Sequence, residues 1–243
     1  MSTNLSVHAL SKRFGGLTAL SDVSFDVDEG AIVGVMGANG AGKTTLFSLI
    51  AGNSRPSSGE IHFQGRSLVG LRPDQICRRG IARTFQIVKP FPALTVLENL
   101  RTAAMFGKAQ YRRADEADQA SRQVLEEVGL ADSADRAAST LTLSGQKRLE
   151  IARAIATGAR LMMLDEVMAG LTPTEVAQML QTLREIHAAR GLTLLVIEHV
   201  MRALMDLCSH IVVLHLGELI AQGAPQEIGR DPRVLAVYLG ASA

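Results

Sequence analysis

The chain has 243 residues, 47% of them hydrophobic, with 25 Lys+Arg against 24 Asp+Glu and two cysteines. That length buries a sizeable core without disulfide staples, and a net charge of +1 exerts no long-range pull on nucleic acid or an anionic membrane surface. Cys77 and Cys208 lie far apart and belong to no C-x-x-C or Cys/His cluster, which fits a reducing compartment and two buried small apolar side chains.

The first residues, Met1-Ser2-Thr3-Asn4-Leu5-Ser6-Val7-His8, have neither a basic nor an apolar leader region, so no secretory signal is expected. Leu5, Val7 and Ala9 alternate with polar neighbours, and Val23, Phe25 and Val27 do the same. Both read as half-buried antiparallel strands. A further strand, Glu60-Ile61-His62-Phe63, lies between Gly59 and Gly65.

Between these strands stands the most informative stretch of the chain. The apolar run Ala31-Ile32-Val33-Gly34-Val35-Met36 leads into Gly37-Ala38-Asn39-Gly40-Ala41-Gly42-Lys43-Thr44, and Thr45-Leu46-Phe47-Ser48-Leu49-Ile50 follows. The order is strand, glycine loop, helix. Glycines let backbone N–H groups close around phosphate oxygens, and the helix N-terminus aims its positive dipole end at the same anion. In this G-x-x-x-x-G-K-T pattern Lys43 reaches the terminal phosphates, and the Thr44 hydroxyl ligates Mg²⁺.

Residues 95 to 140 are rich in Ala, Arg, Asp and Glu, with apolar positions at Val124, Leu125 and Val128 and a break at Gly129. They read as a helical insertion with a solvated charged face. The loop before it, Lys89-Pro90-Phe91-Pro92-Ala93-Leu94, holds an exposed aromatic between two prolines and is the better candidate for a partner contact. Farther on, near-continuous apolar runs at 161–164, 193–197 and 211–214 alternate with helical stretches, the mark of a parallel sheet covered on both faces. None approaches the ~20 residues that cross a bilayer.

The run Leu161-Met162-Met163-Leu164 ends in Asp165-Glu166. Two carboxylates at the end of a buried strand are costly unless they meet a cation or a donor. With a phosphate loop upstream, Asp165 would hold Mg²⁺ through its water shell, and Glu166 would accept a proton from the water that attacks the γ-phosphate. His199 follows the strand Thr193-Leu194-Leu195-Val196-Ile197, at the carboxyl edge where ligands bind in open α/β sheets. The other histidines, at 8, 62, 187, 210 and 215, show no metal-ligand spacing. The fold class expected is α/β: a P-loop NTPase core with a mostly parallel sheet, an N-terminal antiparallel β subdomain and a helical insertion.

Several motifs now stand in a fixed order: Phe14 in Arg13-Phe14-Gly15-Gly16-Leu17, the phosphate loop, Gln86 in Ala82-Arg83-Thr84-Phe85-Gln86, Lys147-Arg148-Leu149-Glu150-Ile151-Ala152-Arg153-Ala154, the Asp165-Glu166 strand, and Ile197-Glu198-His199. In this order the chain resembles an ABC-type ATPase subunit, as one nucleotide-binding domain from about residue 5 to 240. Gly80-Ile81-Ala82-Arg83-Thr84-Phe85-Gln86, Ala169-Gly170-Leu171-Thr172-Pro173-Thr174-Glu175 and the ending Asp231-Pro232-Arg233-Val234-Leu235-Ala236-Val237-Tyr238-Leu239-Gly240 are most similar to the ATP-binding subunits of branched-chain amino acid importers.

The resemblance implies that Phe14 stacks on adenine, that Gln86 contacts Mg²⁺ and the water, and that His199 holds the γ-phosphate. It implies ATP and Mg²⁺ as cofactors, transmembrane permease subunits and a second ATPase subunit as partners, an indirect solute-binding protein, and a place on the cytoplasmic face of the inner membrane. The domain would carry the helical subdomain at about 95–140 and a helical end at about 225–240. The alternatives are a soluble ABC ATPase acting on nucleic acid or ribosomes, disfavoured by the near-neutral charge and the lack of a second copy of the domain, and an ABC subunit for another solute.

Two departures stand out. Where L-S-G-G-Q is usual, counting back from Arg148 gives Leu141-Thr142-Leu143-Ser144-Gly145. Thr142 keeps the hydroxyl, whereas Leu143 and Ser144 add side chains where close approach to the partner's nucleotide is needed, so weaker binding across the dimer is expected. A second register, Ser144-Gly145-Gln146, shortens the turn by one residue; the first preserves the spacing to Arg148. Val167 also replaces the usual proline after Glu166, outside the metal and base positions.

Overall fold

The computed structural model describes residues 2–84 and 90–239. In chain order the strands are β1 (Thr3–Phe14), β2 (Leu17–Asp28), β3 (Ile32–Met36), β4 (Ser58–Phe63), β5 (Arg66–Ser67), β6 (Ile81–Arg83), β7 (Leu161–Asp165), β8 (Thr193–Ile197), β9 (His210–His215) and β10 (Glu218–Gly223). The helices are α1 (Lys43–Ile50), α2 (Pro73–Arg79), α3 (Val96–Phe106), α4 (Ala114–Glu127), α5 (Leu143–Ala156), α6 (Pro173–Arg190), α7 (Met201–Leu207), α8 (Pro225–Ile228) and α9 (Pro232–Leu239). They fall into two compact units, one drawn from Met1–Pro73 and Thr193–Ala243, the other from Asp74–Leu192.

In the first unit β1 and β2 form an antiparallel hairpin that sets Leu5 against Val27, Val7 against Phe25 and Leu10 against Val23. All six side chains are buried. The simple alternation through Ala9 does not hold: the register shifts between Val7 and Leu10, Ala9 takes φ +47°, and Leu10 occupies the inward position instead. A bulge adds one residue and flips the faces beyond it. β1 also pairs antiparallel with β4, and β4 with β5, giving the order β2-β1-β4-β5.

The second sheet of this unit is centred on β3, whose five residues are all buried. It pairs in parallel with β8 on one side and β9 on the other. Apolar runs without alternation are what a strand covered on both faces requires. β10 returns antiparallel to β9 through a turn in which Leu216 and Gly217 take φ +46° and +86°, as a tight two-residue hairpin demands. In β10 only Ala221 is buried, and the apolar stretch Leu219-Ile220-Ala221 is too short to mark a strand by itself. Cys208 is buried, as expected, and its thiol is pushed up to about 12 by desolvation. Cys77, on α2, is only partly covered.

In the second unit β6 and β7 pair in parallel, and helices make up most of the rest. Residues 95–140 contain α3, α4 and two 3-10 turns, Ala131–Ser133 and Ala138–Thr140. α3 starts on a capping box of Thr95 and Glu98, which satisfies two orphan amides reciprocally. α4 buries Ala117, Ser121, Val124 and Leu125 and turns its charges outward. Arg101 on α3 binds Asp118 on α4 at 2.7 Å, and Arg190 on α6 grips Glu127 with two 2.7 Å bonds. α6 has its own capping box, Thr172 with Glu175, and ends on Gly191 at φ +60°. Among the described residues no helix is long and apolar enough to cross a membrane.

Candidate active site

In the first unit, the loop that follows β3 is pressed against its support. Gly37 is buried at φ +156°, and a Cβ there would lie 2.5 Å from the Leu214 carbonyl oxygen. Gly42 has φ +104°, and its Cβ would lie 2.6 Å from Leu20 and 2.8 Å from the Ala19 oxygen. Only glycine fits either position. On the other side Ala38, Asn39, Gly40 and Thr44 are exposed, Ala41 is buried and Thr45 half-buried.

Lys43 is 6% exposed and donates to the carbonyls of Gly37 at 2.6 Å and Ala38 at 3.1 Å. Its ammonium is thus lodged within the curve of its own loop. α1 begins here with Gly42 as N-cap and no side-chain cap, so no side chain closes off its first-turn amides. A glycine cradle, an uncapped helix start and a buried cation fit a polyphosphate.

His199 is exposed beside the buried Glu198, in the segment after β8. With Glu198, Gly37, Ala38 and Tyr238 it lines a cleft of about 70 Å³. Tyr238, from α9, accepts a hydrogen bond from the Gly37 backbone, while burial raises its phenol above the usual range. The structure therefore brings His199 and the start of the phosphate loop together. Phe14 ends β1 at 51% exposure, and the Lys12 ammonium sits 4.7 Å from its ring centre. The ring belongs to the surface and not to the core.

In the second unit, Asp165 closes β7 and is 4% exposed. Its Oδ2 takes a 2.7 Å bond from the Arg83 guanidinium, and its backbone N–H donates to the Thr84 hydroxyl at 3.0 Å. Among the described residues no hydrogen bond falls on Oδ1. Glu166 is half-buried and takes φ +52°, a left-handed conformation that is strained for a residue with a Cβ. Lys147, buried on α5, donates to the Glu166 carbonyl at 3.0 Å. Val167 is fully buried.

Thr142 is the N-cap of α5, and its hydroxyl accepts from the Gly145 N–H at 3.2 Å. Ser144, Gly145 and Gln146 already lie in the first turn of that helix, and the Gln146 side chain donates back to the Leu141 carbonyl. Leu143 is exposed beside them. Gln86 lies outside the described residues. Phe91 is partly exposed, clamped by Asn99 on both backbone groups, with the Arg153 guanidinium 5.1 Å from its ring centre.

Among the described residues no group of three His, Cys, Asp or Glu side chains gathers to hold a metal by itself. A divalent ion bridged by phosphates needs no such cage. Taken each by itself, the exposed Thr44 hydroxyl in the first unit and the buried Asp165 carboxylate in the second are oxygen ligands of the kind Mg²⁺ takes alongside substrate and water.

Sequence reasoning did not single out Arg83 as the partner of the Asp165 carboxylate or Lys147 as the donor to the Glu166 main-chain carbonyl, nor Tyr238. All three stand inside motifs already quoted. The signal available was a cation closing the apolar strand Ile81-Ala82-Arg83, since a buried charge must find its opposite.

The family model described as ABC transporter matches residues 20–169, and that described as branched-chain amino acid ATP-binding cassette transporter matches residues 218–243. The high-affinity branched-chain amino acid transport ATP-binding protein BraF of Pseudomonas aeruginosa is 39% identical over 248 aligned residues, with 97% of each chain covered. LivG of Escherichia coli, named in the same terms, is also 39% identical with 97% of each chain covered. Among solved structures, the ADP conformation of MJ1267, an ATP-binding cassette of an ABC transporter, matches with a TM-score of 0.90 and 29% identity, over 99% of this chain and 100% of that one. The resemblance carried by the motifs is borne out, as is the α/β P-loop NTPase fold. The chain belongs to the ABC transporter family and is one of its ATP-binding, ATP-hydrolysing cassettes.

Proposed function

We propose that this chain powers uptake of branched-chain or related amino acids, as an ATPase subunit docked to transmembrane permease subunits on the cytoplasmic face of the membrane. A second ATPase subunit, related or identical, completes its sites, and a solute-binding protein delivers cargo to the permease. Residues 5–240 act as a single cassette, with the helices of 95–140 and the end at 225–240 as its appendages. The observation that carries the reading is Lys43, a buried ammonium lodged in a glycine loop at the start of an uncapped helix.

In this reading the amides of residues 39–44 and the Lys43 ammonium bind the β- and γ-phosphates, with charge-assisted bonds stronger than neutral ones. Phe14 offers its exposed ring to adenine. Thr44, Asp165 and Gln86 hold Mg²⁺, which neutralises phosphate charge when bound. Glu166 takes the proton of the attacking water, the bond from the γ-phosphorus to the bridging oxygen breaks, and ADP and phosphate leave. His199 orients the γ-phosphate. The Thr142, Ser144 and Gly145 segment presents its helix start to the nucleotide of the other subunit, so neither subunit alone completes a site. The Leu143 and Ser144 side chains weaken that grip.

Glu166→Gln tests this directly. The variant should bind ATP as tightly as the parent, hydrolyse it ~10²–10⁴-fold more slowly, and run as an ATP-dependent dimer in light scattering. Parental turnover by this variant would overturn the assignment.

A further inference from the structure

The Asp165 carboxylate already has a cation supplied by the chain itself. Arg83, the last residue of β6, pairs with Asp165 Oδ2 at 2.7 Å, and the two side chains are 9% and 5% exposed. Parallel pairing sets Arg83 opposite Met163, two residues before Asp165, so both side chains reach the same end of the strand pair. The neighbouring Thr84 fixes the Asp165 backbone through its hydroxyl and donates its own N–H to Met163. The carboxylate therefore has little freedom to leave Arg83 by a shift of the main chain.

A buried ion pair in low dielectric is strongly coupled, and a second cation brought to the same carboxylate is repelled by the first. We infer that Arg83 is a positioning residue that competes with Mg²⁺ for Asp165 and so sets how much Mg²⁺ the nucleotide site requires. The inference rests on the proposed role of Asp165 in the ATP site. The guanidinium occupies Oδ2 and leaves Oδ1 to the water shell of the metal, so binding proceeds with the metal attracted to a partly neutralised carboxylate. Without Arg83 that carboxylate is uncompensated, and Mg²⁺ is the cation that restores balance. A lysine in its place keeps the charge but loses the planar fork.

The test uses the full-length parent, Arg83→Met and Arg83→Lys, with fluorescent-nucleotide binding titrated against Mg²⁺ and melting temperatures in EDTA and in Mg²⁺-ATP. Arg83→Met should lower the half-saturating Mg²⁺ concentration by about 3- to 10-fold, with Arg83→Lys between it and the parent. Its melting temperature should fall in EDTA and recover in Mg²⁺-ATP by a larger step than the parent gains. A half-saturating Mg²⁺ equal to or above the parent's, in either variant, overturns the inference. If Arg83→Met does not fold, Arg83→Lys alone decides it by the same criterion. A parent whose ATP binding ignores Mg²⁺ would instead strike at the proposed function and take this inference with it.

Discussion

The loop of residues 37–44 is built almost wholly from backbone, whereas the corner at Asp165 and Glu166 is built from side chains that come from β6, α5 and β7. The loop leaves donors available and uses the absence of Cβ atoms to bring them close to an anion. The corner ties down side chain and main chain alike: the Asp165 carboxylate by Arg83, the Asp165 backbone N–H by the Thr84 hydroxyl, and the Glu166 main-chain carbonyl by Lys147. The loop is thus specified by adjacent residues and fails through backbone strain. The corner is specified by distant residues and fails through lost partners.

Three substitutions sharpen that contrast, from the largest effect to the smallest. Gly42→Ala places a methyl group 2.6 Å from Leu20 at a φ of +104°, and should cost about 1–3 kcal/mol in denaturant unfolding while weakening ATP binding. Stability equal to the parent's would show the loop to be more pliant than described. Lys147→Met removes the donor to the Glu166 carbonyl; unfolding should show a loss of about 1–2 kcal/mol, and turnover should fall while ATP affinity holds. A variant with normal turnover would separate α5 from the corner. Thr142→Ala should cost about 1 kcal/mol through the lost cap, with Thr142→Ser near the parent in thermal melts, so an equal cost for both would mean that the hydroxyl is not what starts α5.

How much of this was legible follows the same division. The phosphate loop, β3, β7, β8 and the Asp165-Glu166 strand end could be read because their signals are local: unbroken apolar runs, glycines at fixed spacing, carboxylates at a run's end. The slip at Ala9 could not, since a bulge depends on what lies across the ladder and not on the alternation itself. β10 escaped because one face of an edge strand is solvated and it buries only Ala221. Arg83 and Lys147 were visible as residues but not as partners: pairing each with Asp165 or Glu166 requires knowing that β6 lies beside β7 and that α5 reaches the strand's end. Thr142, by contrast, was reached through the family resemblance, by counting back from Arg148 to the place where L-S-G-G-Q is usual, and the structure adds that it caps α5.

The central claim is that the Lys43 ammonium and the glycine loop around it hold the phosphates of ATP. Calorimetric titration of Mg²⁺-ATP into the full-length parent and Lys43→Met tests it most directly. A lost charge-assisted contact should weaken binding by roughly 100-fold with the fold intact in the far-ultraviolet spectrum, and equal affinities for parent and variant would contradict the account.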